Sequence, residues 1–310
     1  MANISMVMGF LLLGFSEVRE LQLVHAMLFF LVYLVALTGN LLIVTITVLD
    51  QRPHTPMYVF LRNVSLLDIC DITATVPKSI LNSLSNSRSI SFLRCTTQVL
   101  LMILFGGSEV FLLTAMSYNR YAAICCPLRY GIIIDREVCG KIVATSWLRG
   151  SLDSLMHTAA IFSSHFCGPR IIHQFFCDVP QLLKFMCPGE ARAEVCVLEL
   201  SVILCLGCFV SILVSYVHIF LAVLKMPATE GRTKVFSTCL PHLAVVSLYL
   251  FTGSFAHLRP SSSSPSTLDL LRILHSVVPT LNPLIYSLRN KDMKPAMGKI
   301  FSVHFISRVN

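Results

Sequence analysis

The chain has 310 residues, of which 55% are hydrophobic and only 13% are charged, and its mean hydropathy is +0.74. A soluble domain needs more surface charge, so this composition excludes a soluble globular protein and favours one embedded in a membrane. The net charge of +8 favours contact with anionic lipid or an acidic protein surface and argues against nucleic acid as a partner.

Apolar segments long enough to cross a bilayer, at about 20 residues each, occur seven times along the chain. The amino-terminal part holds one Lys or Arg before Asn40, namely Arg19, and lacks a signal-peptide pattern, so we expect the first span to direct insertion. The predicted spans are residues 23–49, 57–81, 96–125, 139–163, 196–225, 235–258 and 268–288.

We therefore predict an all-α membrane protein with one domain, residues 1–310, folded as a bundle of seven transmembrane helices. With the amino terminus outside, the inner loops and tail hold 14 of the 24 Lys and Arg, as the positive-inside rule requires. The Asn-Ile-Ser at Asn3 then faces outward as an N-glycosylation acceptor. The short cytoplasmic tail, residues 289–310, includes a basic stretch that predicts an amphipathic helix on the inner leaflet.

The 12 cysteines divide into two groups. Most lie in or beside the apolar spans, where a free Cys acts as a small hydrophobic residue. The other four are Cys95, Cys167, Cys177 and Cys187, on the predicted outer side, where disulfides form. Three of them belong to the long loop of residues 164–195, which we call the lid. Spacing alone does not choose among the three pairings, and a zinc site with nearby histidines is the alternative, although no CxxC spacing supports it.

Five motifs follow one another at corresponding places along the spans. They are Gly39-Asn40, HTPMY from His54 leading to Asp68, MSYNRYAAICCPL from Met116, KVFSTCLPHL from Lys234 and NPLIYSLRN from Asn282. Through nearly its whole length the chain resembles the olfactory receptors, a group of rhodopsin-like G-protein-coupled receptors. The resemblance implies two disulfides, Cys95 to Cys177 and Cys167 to Cys187, which would hold the lid over the mouth of the bundle.

Asp68 and Glu109 are acids in separate spans, each too costly to face lipid, so we expect both to point into the bundle. There they would share a proton, a cation or water, with Asn40 and Asn282 as amide partners. The resemblance implies a sodium ion at Asp68 and Glu109 and no other cofactor. A hydrogen-bonded packing cluster without an ion is the alternative.

Arg120 lies at the inner foot of the third span, where an arginine can also anchor a helix end by reaching toward the headgroups. The resemblance instead implies a switch that meets the G protein when the sixth span moves outward. The residues it assigns to this switch are Asn119, Arg120, Tyr121, Tyr216, Asn282, Pro283 and Tyr286.

Three positions depart from the family pattern. Asn119 stands where an acid usually precedes the arginine, which predicts a weaker hold on the resting state and higher basal signalling. Cys126 stands where a His often precedes the proline. The segment before Pro283 is one residue shorter than expected, which would turn the upper seventh helix by about 100° and impair signalling.

The upper halves of the third, fifth, sixth and seventh spans would enclose the ligand. Their candidate residues are Met102, Ile103, Gly106, Gly107, Leu200, Ser201, Leu204, Gly253, Ser254, His257 and His275. Most are apolar or small, which suits a small, mostly hydrophobic volatile ligand. Met102 stands where amine receptors carry an acid, which argues against a biogenic amine.

These patterns predict a plasma-membrane odorant receptor that activates a stimulatory, olfactory-type heterotrimeric G protein and raises cAMP. The alternatives are a rhodopsin-like receptor for another small apolar ligand and an olfactory receptor that has lost signalling. A transporter would show paired repeats with broken helices, and an enzyme would show a catalytic motif such as HExxH or GxSxG. Neither pattern is evident, so we predict that the protein is not an enzyme.

Overall fold

The structure is a computed structural model of the chain. It describes residues 9–12, 19–49, 56–85, 89–168, 171–172, 176–225 and 229–257, together with Asn282.

Helices dominate the described residues, as the predicted fold class requires. Six of them are long: α1 Arg19–Leu49, α2 Pro56–Ser85, α3 Phe92–Cys125, α5 Arg136–Phe162, α7 Arg192–Leu224 and α8 Thr229–His257. Between α3 and α5 the chain forms a 3-10 turn, Pro127–Arg129, and the short helix α4, Tyr130–Ile133, while the short helix α6, Val179–Leu183, lies in the lid.

The long helices coincide with the first six predicted spans. α1 and α3 end at the predicted residues, Leu49 and Cys125, but α1 begins at Arg19 instead of residue 23 and α8 at Thr229 instead of residue 235. Among the described residues, four helices are long and apolar enough to cross a membrane, namely α1, α3, α7 and the Gly231–Thr252 part of α8. α2 and α5 are as long but more polar. The predicted seventh span, apart from Asn282, and the tail lie outside the described residues.

Capping side chains explain where the helices α3 and α5 start. The Ser91 side chain caps α3 by accepting a hydrogen bond from the Arg94 backbone N–H at 3.4 Å. The Asp135 carboxylate caps α5 by accepting from the Val138 N–H at 2.7 Å. Both caps satisfy backbone donors that the first helical turn leaves without partners.

α3 is the central helix of the described bundle, because it packs against α2, α5, α7 and α8, whereas α1 packs mainly against α2. The fully buried side chains around its lower half include Phe60, Leu112, Met116 and Ile219. α3 and α5 approach closely where Gly107 faces Gly150. Small residues at such crossings let helix backbones pack tightly in a membrane.

A three-stranded sheet covers the lid end of the bundle, a feature that the sequence did not predict. β1, Gly9–Leu12, lies between β2, Ser89–Ser91, and β3, Ile171–Ile172. β1 runs antiparallel to β2, with Phe10 opposite Ile90, and parallel to β3, with Leu12 beside Ile172. The amino-terminal segment is therefore the middle strand of the sheet.

An apolar cluster under this sheet, which we call the lid cluster, joins the sheet to the helices. Phe10 is 2% exposed and meets Phe166 edge-to-face, with ring centroids 5.6 Å apart, and Phe92 meets Phe162 in the same way at 5.2 Å. The buried members of the cluster are Phe10, Leu12, Ile90, Cys95, Val99, Ile161, Ile172, Cys177, Val179, Leu182 and Phe185.

Candidate functional site: two polar centres and a disulfide-bonded lid

The lid contains the two disulfides that the family resemblance implies. Cys95 in α3 is bonded to Cys177, with Cα atoms 5.6 Å apart, and Cys167 is bonded to Cys187, with Cα atoms 4.9 Å apart. Because these bonds use all three lid cysteines, no lid thiolate remains for the alternative zinc site. Within the part of the chain that the structure describes, no group of three or more His, Cys, Asp or Glu could hold a metal.

Two further contacts fasten the lid. The Gln98 side chain on α3 accepts a hydrogen bond from the Cys177 backbone N–H at 3.0 Å. On the exposed side, the backbone N–H of His165 donates to Glu190 Oε2, and the His165 ring Nδ1 lies 2.9 Å from Glu190 Oε1. These two hydrogen bonds, first the backbone one and then the ring one, lower the pKa of Glu190.

The first polar centre lies inside the bundle. Asp68, Glu109 and Asn282 are each at most 5% exposed. The Asn282 amide nitrogen lies 3.0 Å from Asp68 Oδ2 and 3.2 Å from Glu109 Oε1, so one amide group serves carboxylates of two helices. Asn40 is also buried, but its amide nitrogen donates to the Ala36 carbonyl of its own helix at 3.0 Å.

This centre brings two acids around one amide donor in a site that excludes bulk water. Such a pair is stabilised when a proton or a small cation offsets the repulsion between the carboxylates. Within the described part of the chain, the Asn282 side-chain oxygen accepts no hydrogen bond. An oxygen ligand for a cation is therefore available beside both acids.

The second polar centre lies at the foot of α3. Asn119 is 4% exposed, and its side-chain oxygen accepts a hydrogen bond from the Tyr130 hydroxyl of α4 at 2.9 Å. Burial raises the pKa of the Tyr130 hydroxyl, so this group remains a donor at neutral pH. The bond fixes the loop after α3 against the helix.

Arg120 is next to Asn119 but contacts a different helix. Its guanidinium lies 3.9 Å from the Met57 sulfur on α2, and its Nε is buried without a partner among the described residues. Among the ion pairs of those residues, none includes Arg120. A weak sulfur contact thus stands where a carboxylate would hold the arginine firmly.

Tyr216 and His242 link α7 to α8 on the same side of the core. The Tyr216 hydroxyl lies 2.6 Å from His242 Nδ1, and both residues are at most 3% exposed. Nearby, Tyr121 meets the His218 ring edge-on, with centroids 5.8 Å apart. His242 was not among the predicted site residues, although it lies in the motif KVFSTCLPHL, which was the available signal.

The predicted ligand residues have different surroundings. Met102 packs on a cluster in which Phe176 of the lid joins side chains of α1 and α2, and Ile103 packs on the lid cluster. The Gly106 carbonyl accepts a hydrogen bond from the Tyr249 hydroxyl at 3.0 Å. Gly107 instead faces Gly150 of α5.

The candidates on α7 also differ among themselves. Leu200 is 42% exposed, Leu204 is half-buried, and Ser201 bonds to Asp153 and His157 of α5. The structure therefore places the side chains of Met102 and Ile103 under the lid but directs Ser201 into a helix interface.

The remaining predicted residues lie in less fully described parts of the chain. The structure gives the backbone of Gly253, Ser254 and His257 in α8 but does not describe the side chains of Ser254 and His257. Asn3, His275, Pro283 and Tyr286 lie outside the described residues.

A buried polar network between α5 and α7 was not predicted at all. It consists of Asp153, His157, Glu194 and Ser201, and His157 and Glu194 are at most 4% exposed. No motif marks these residues, because they belong to two helices that are separate in the sequence and meet only in the fold.

These features together define a polytopic membrane protein. Its helical bundle buries acids, its central helix has an arginine at the foot, and its lid is disulfide-bonded. The family model described as olfactory receptor matches residues 29–304. Human olfactory receptor 14A16 is 49% identical over 302 residues, covering 97% of this chain and 97% of that receptor. Human olfactory receptor 14J1 is 51% identical over 304 residues, covering 97% and 95%, and human olfactory receptor 10A3 is 40% identical over 301 residues, covering 96% of each.

The chain belongs to the olfactory receptor family of G-protein-coupled receptors. The predicted family and helical fold class are confirmed, and so is the prediction that the protein is not an enzyme, because this family consists of receptors.

Proposed function

We propose that this receptor binds a small, mostly hydrophobic odorant within the helix bundle and activates a stimulatory, olfactory-type heterotrimeric G protein, which raises cAMP. It does so in the plasma membrane, with its amino terminus and Asn3 outside and its carboxy terminus in the cytoplasm. Membership of an odorant-sensing receptor family supports the proposal.

The observation that carries the coupling part is the weak hold on Arg120. Its contact with the Met57 sulfur at 3.9 Å costs little to break, so a modest conformational change releases the guanidinium toward the cytoplasm. Asn119 is already engaged by Tyr130 and does not supply a charge beside it. We infer that the resting state is held less tightly than in relatives with an acid at position 119.

The ligand part rests on the surroundings of Met102 and Ile103, two side chains that lie on α3 below the lid. Both are apolar: Ile103 packs on the lid cluster, and Met102 packs on a neighbouring cluster that includes Phe176 of the lid, so a ligand there exchanges apolar contacts with the lid. The inner polar centre of Asp68, Glu109 and Asn282 lies farther along α3 and is proposed to hold sodium or a shared proton.

A cAMP reporter assay across an odorant panel tests this function, with surface staining of intact cells in parallel. The variants Arg120→Ala and Arg120→Lys distinguish the two interpretations of the arginine. A helix-end anchor tolerates lysine, because both side chains reach the headgroups with a positive charge. A G-protein contact through the planar guanidinium does not tolerate it.

The expected result is an odorant-dependent cAMP rise that both variants lose at unchanged surface level. Retained signalling in Arg120→Lys contradicts the coupling role of the guanidinium. Absence of any basal or odorant-dependent signal in the wild type, despite surface staining, favours the alternative of a receptor that has lost signalling.

A further inference from the structure

Gln98 on α3 joins the lid to α2 through the two ends of its side-chain amide. Its Oε1 accepts a hydrogen bond from the Cys177 backbone N–H at 3.0 Å, and its Nε2 donates to the Ala74 carbonyl of α2 at 3.3 Å. A backbone N–H only donates and a carbonyl only accepts, so this position needs an acceptor and a donor on one side chain. The amide of Gln98 supplies both, and the residue is 5% exposed.

The α2 end of this bridge lies in a turn whose backbone bonding is interrupted by a proline. Pro77 is inside α2, has no backbone N–H, and its ring presses on the carbonyl four residues earlier, at Thr73. Ala74 follows Thr73 in the same turn. In a membrane protein, backbone groups around such a proline are satisfied by neighbouring helices. Gln98 supplies a donor to Ala74 from α3.

The lid end of the bridge adds a restraint that the Cys95–Cys177 disulfide does not supply. A disulfide accommodates Cα separations of about 4.4–6.8 Å, so it limits the distance between two chain segments more than the orientation of their peptide groups. Gln98 engages the backbone N–H of Cys177 itself, about one turn along α3 from Cys95. The disulfide and Gln98 together therefore fix both the place and the orientation of the lid backbone at Cys177.

Phe176, immediately before Cys177, is the lid side chain whose direction this restraint sets. It is buried in a cluster with Ile72 and Val76 of α2, and Met102 of α3 packs on the same cluster. Residues four apart share one face of a helix, so Gln98 and Met102 lie one above the other on α3. Gln98 thus holds an aromatic lid side chain in the cluster that includes a predicted ligand residue.

We propose that Gln98 is the positioning residue of the lid, and that the side chain it positions, Phe176, is the lid's specificity-determining contact with the ligand. The ligand part of this proposal rests on the proposed odorant-binding function. The variant Gln98→Met keeps the length of the side chain but removes its donor and acceptor, so Cys177 and Ala74 both lose a partner. The lid backbone then loses its fixed orientation, while the disulfide still retains the lid at the mouth of the bundle.

Hydrogen exchange of the full-length receptor in nanodiscs, without ligand, tests the positioning step. In Gln98→Met the lid peptide that contains Phe176 and Cys177 should exchange about tenfold faster than in the wild type, because the Cys177 amide has lost its acceptor. Thr97→Val is the matched control, because the Thr97 hydroxyl donates to the Leu93 carbonyl of its own helix at 2.9 Å and ties nothing to the lid. Unchanged exchange in Gln98→Met overturns the positioning role.

Odorant dose responses, read as cAMP at equal surface level, test the ligand step. The half-maximal odorant concentration should rise about tenfold in Gln98→Met with basal and maximal cAMP unchanged, because a displaced lid weakens binding and leaves the foot of α3 intact. A purely structural role would lower the surface level and the maximal response instead. If Gln98→Met does not reach the surface, Gln98→Asn replaces it, since its amide is one methylene too short to span both partners.

A double-mutant cycle shows whether Gln98 acts through Phe176. Phe176→Leu keeps the site apolar but removes the ring, and it should raise the half-maximal concentration about fivefold. Gln98→Met should then add less than about twofold, because the side chain that it positions is already gone. Fully additive effects, or a wild-type dose response in Gln98→Met, overturn the proposal. A wild-type receptor without any odorant response contradicts the proposed function instead, and hydrogen exchange then decides the positioning role by itself.

Discussion

Asn119 and Arg120 are neighbours at the foot of α3, yet they bond to different parts of the receptor. Asn119 accepts from Tyr130 in the loop after α3, while Arg120 reaches Met57 on α2. The sequence predicted that an asparagine would hold the arginine less firmly than an acid. The structure adds that the asparagine is engaged elsewhere, so the weak hold has a second cause.

Restoring an acid at position 119 should reduce basal signalling. In Asn119→Asp the carboxylate still accepts from Tyr130 and also attracts Arg120, and a charge-assisted bond exceeds a neutral one by roughly 1 kcal/mol. Basal cAMP at equal surface level should then fall about fivefold. Tyr130→Phe is the control, since it removes the loop bond without adding charge; equal basal cAMP in Asn119→Asp and wild type would contradict the prediction.

At the scale of the elements, α3 and α5 can cross closely because Gly150 has no side chain. A methyl group on Gly150 would lie 2.6 Å from the Leu104 carbonyl oxygen and 2.9 Å from the Ser108 nitrogen, both backbone atoms that cannot turn away. The same helix contains Gly140, where an added methyl meets nothing within 4 Å. Both glycines have helical backbone, so they differ only in the space around them.

Gly150→Ala should therefore destabilise the bundle, by about 1–3 kcal/mol as in other overpacked interiors. Gly140→Ala is the matched control and should be neutral, because alanine favours a helix and meets no neighbour there. Heat unfolding and surface staining of the two variants measure the difference. Equal midpoints for both would show that α3 and α5 do not approach as closely as described.

The strand β1 allows a similar comparison. Phe10 is 2% exposed within the lid cluster, whereas its neighbour Leu11, on the opposite face of the strand, is 41% exposed. Phe10→Ala should cost about 3–5 kcal/mol and reduce surface staining, since it leaves a cavity beside Phe166. Leu11→Ala should have little effect; a comparable loss in Leu11→Ala would point to the backbone and not to the lid cluster.

At the scale of the whole molecule, the inner polar centre ties distant parts of the chain together. Asp68 lies on α2, Glu109 on α3, and Asn282 in the predicted seventh span, and one amide group joins all three. A change at this point therefore affects the mutual position of several helices. The position of this centre suits a group that couples ligand binding to a change in helix arrangement at the cytoplasmic side.

Neutralising either acid should change how the receptor responds to sodium. Each of the variants Asp68→Asn and Glu109→Gln removes one carboxylate of this pair, so the negative charge that attracts a cation is smaller and the cation binds more weakly. The odorant dose response should then lose its dependence on external sodium, measured with sodium replaced by a larger organic cation. A dose response that is independent of sodium already in the wild type would reject a cation and leave the shared proton.

The sequence predicted the class of fold and the charged residues within apolar spans, such as Asp68, Glu109 and Arg120, because charges in apolar spans are costly and conspicuous. The predicted sixth span begins six residues after the start of α8, since Thr229 and its neighbours are polar and add nothing to an apolar count. Sequence reasoning also missed the network of His157 and Glu194. Their partnership depends on the rotation of two helices, which no local pattern encodes.

The position of β1 in the middle of its sheet also bears on how the receptor is made. β1 is synthesised first, but its partners β2 and β3 follow only after α2 and α5 have been produced. β1 can pair with β2 earlier, but it lacks its second neighbour until Ile171 and Ile172 have been synthesised. Closure of the sheet therefore depends on long-range pairing, which is slow, and it follows the synthesis of four long helices, α1, α2, α3 and α5.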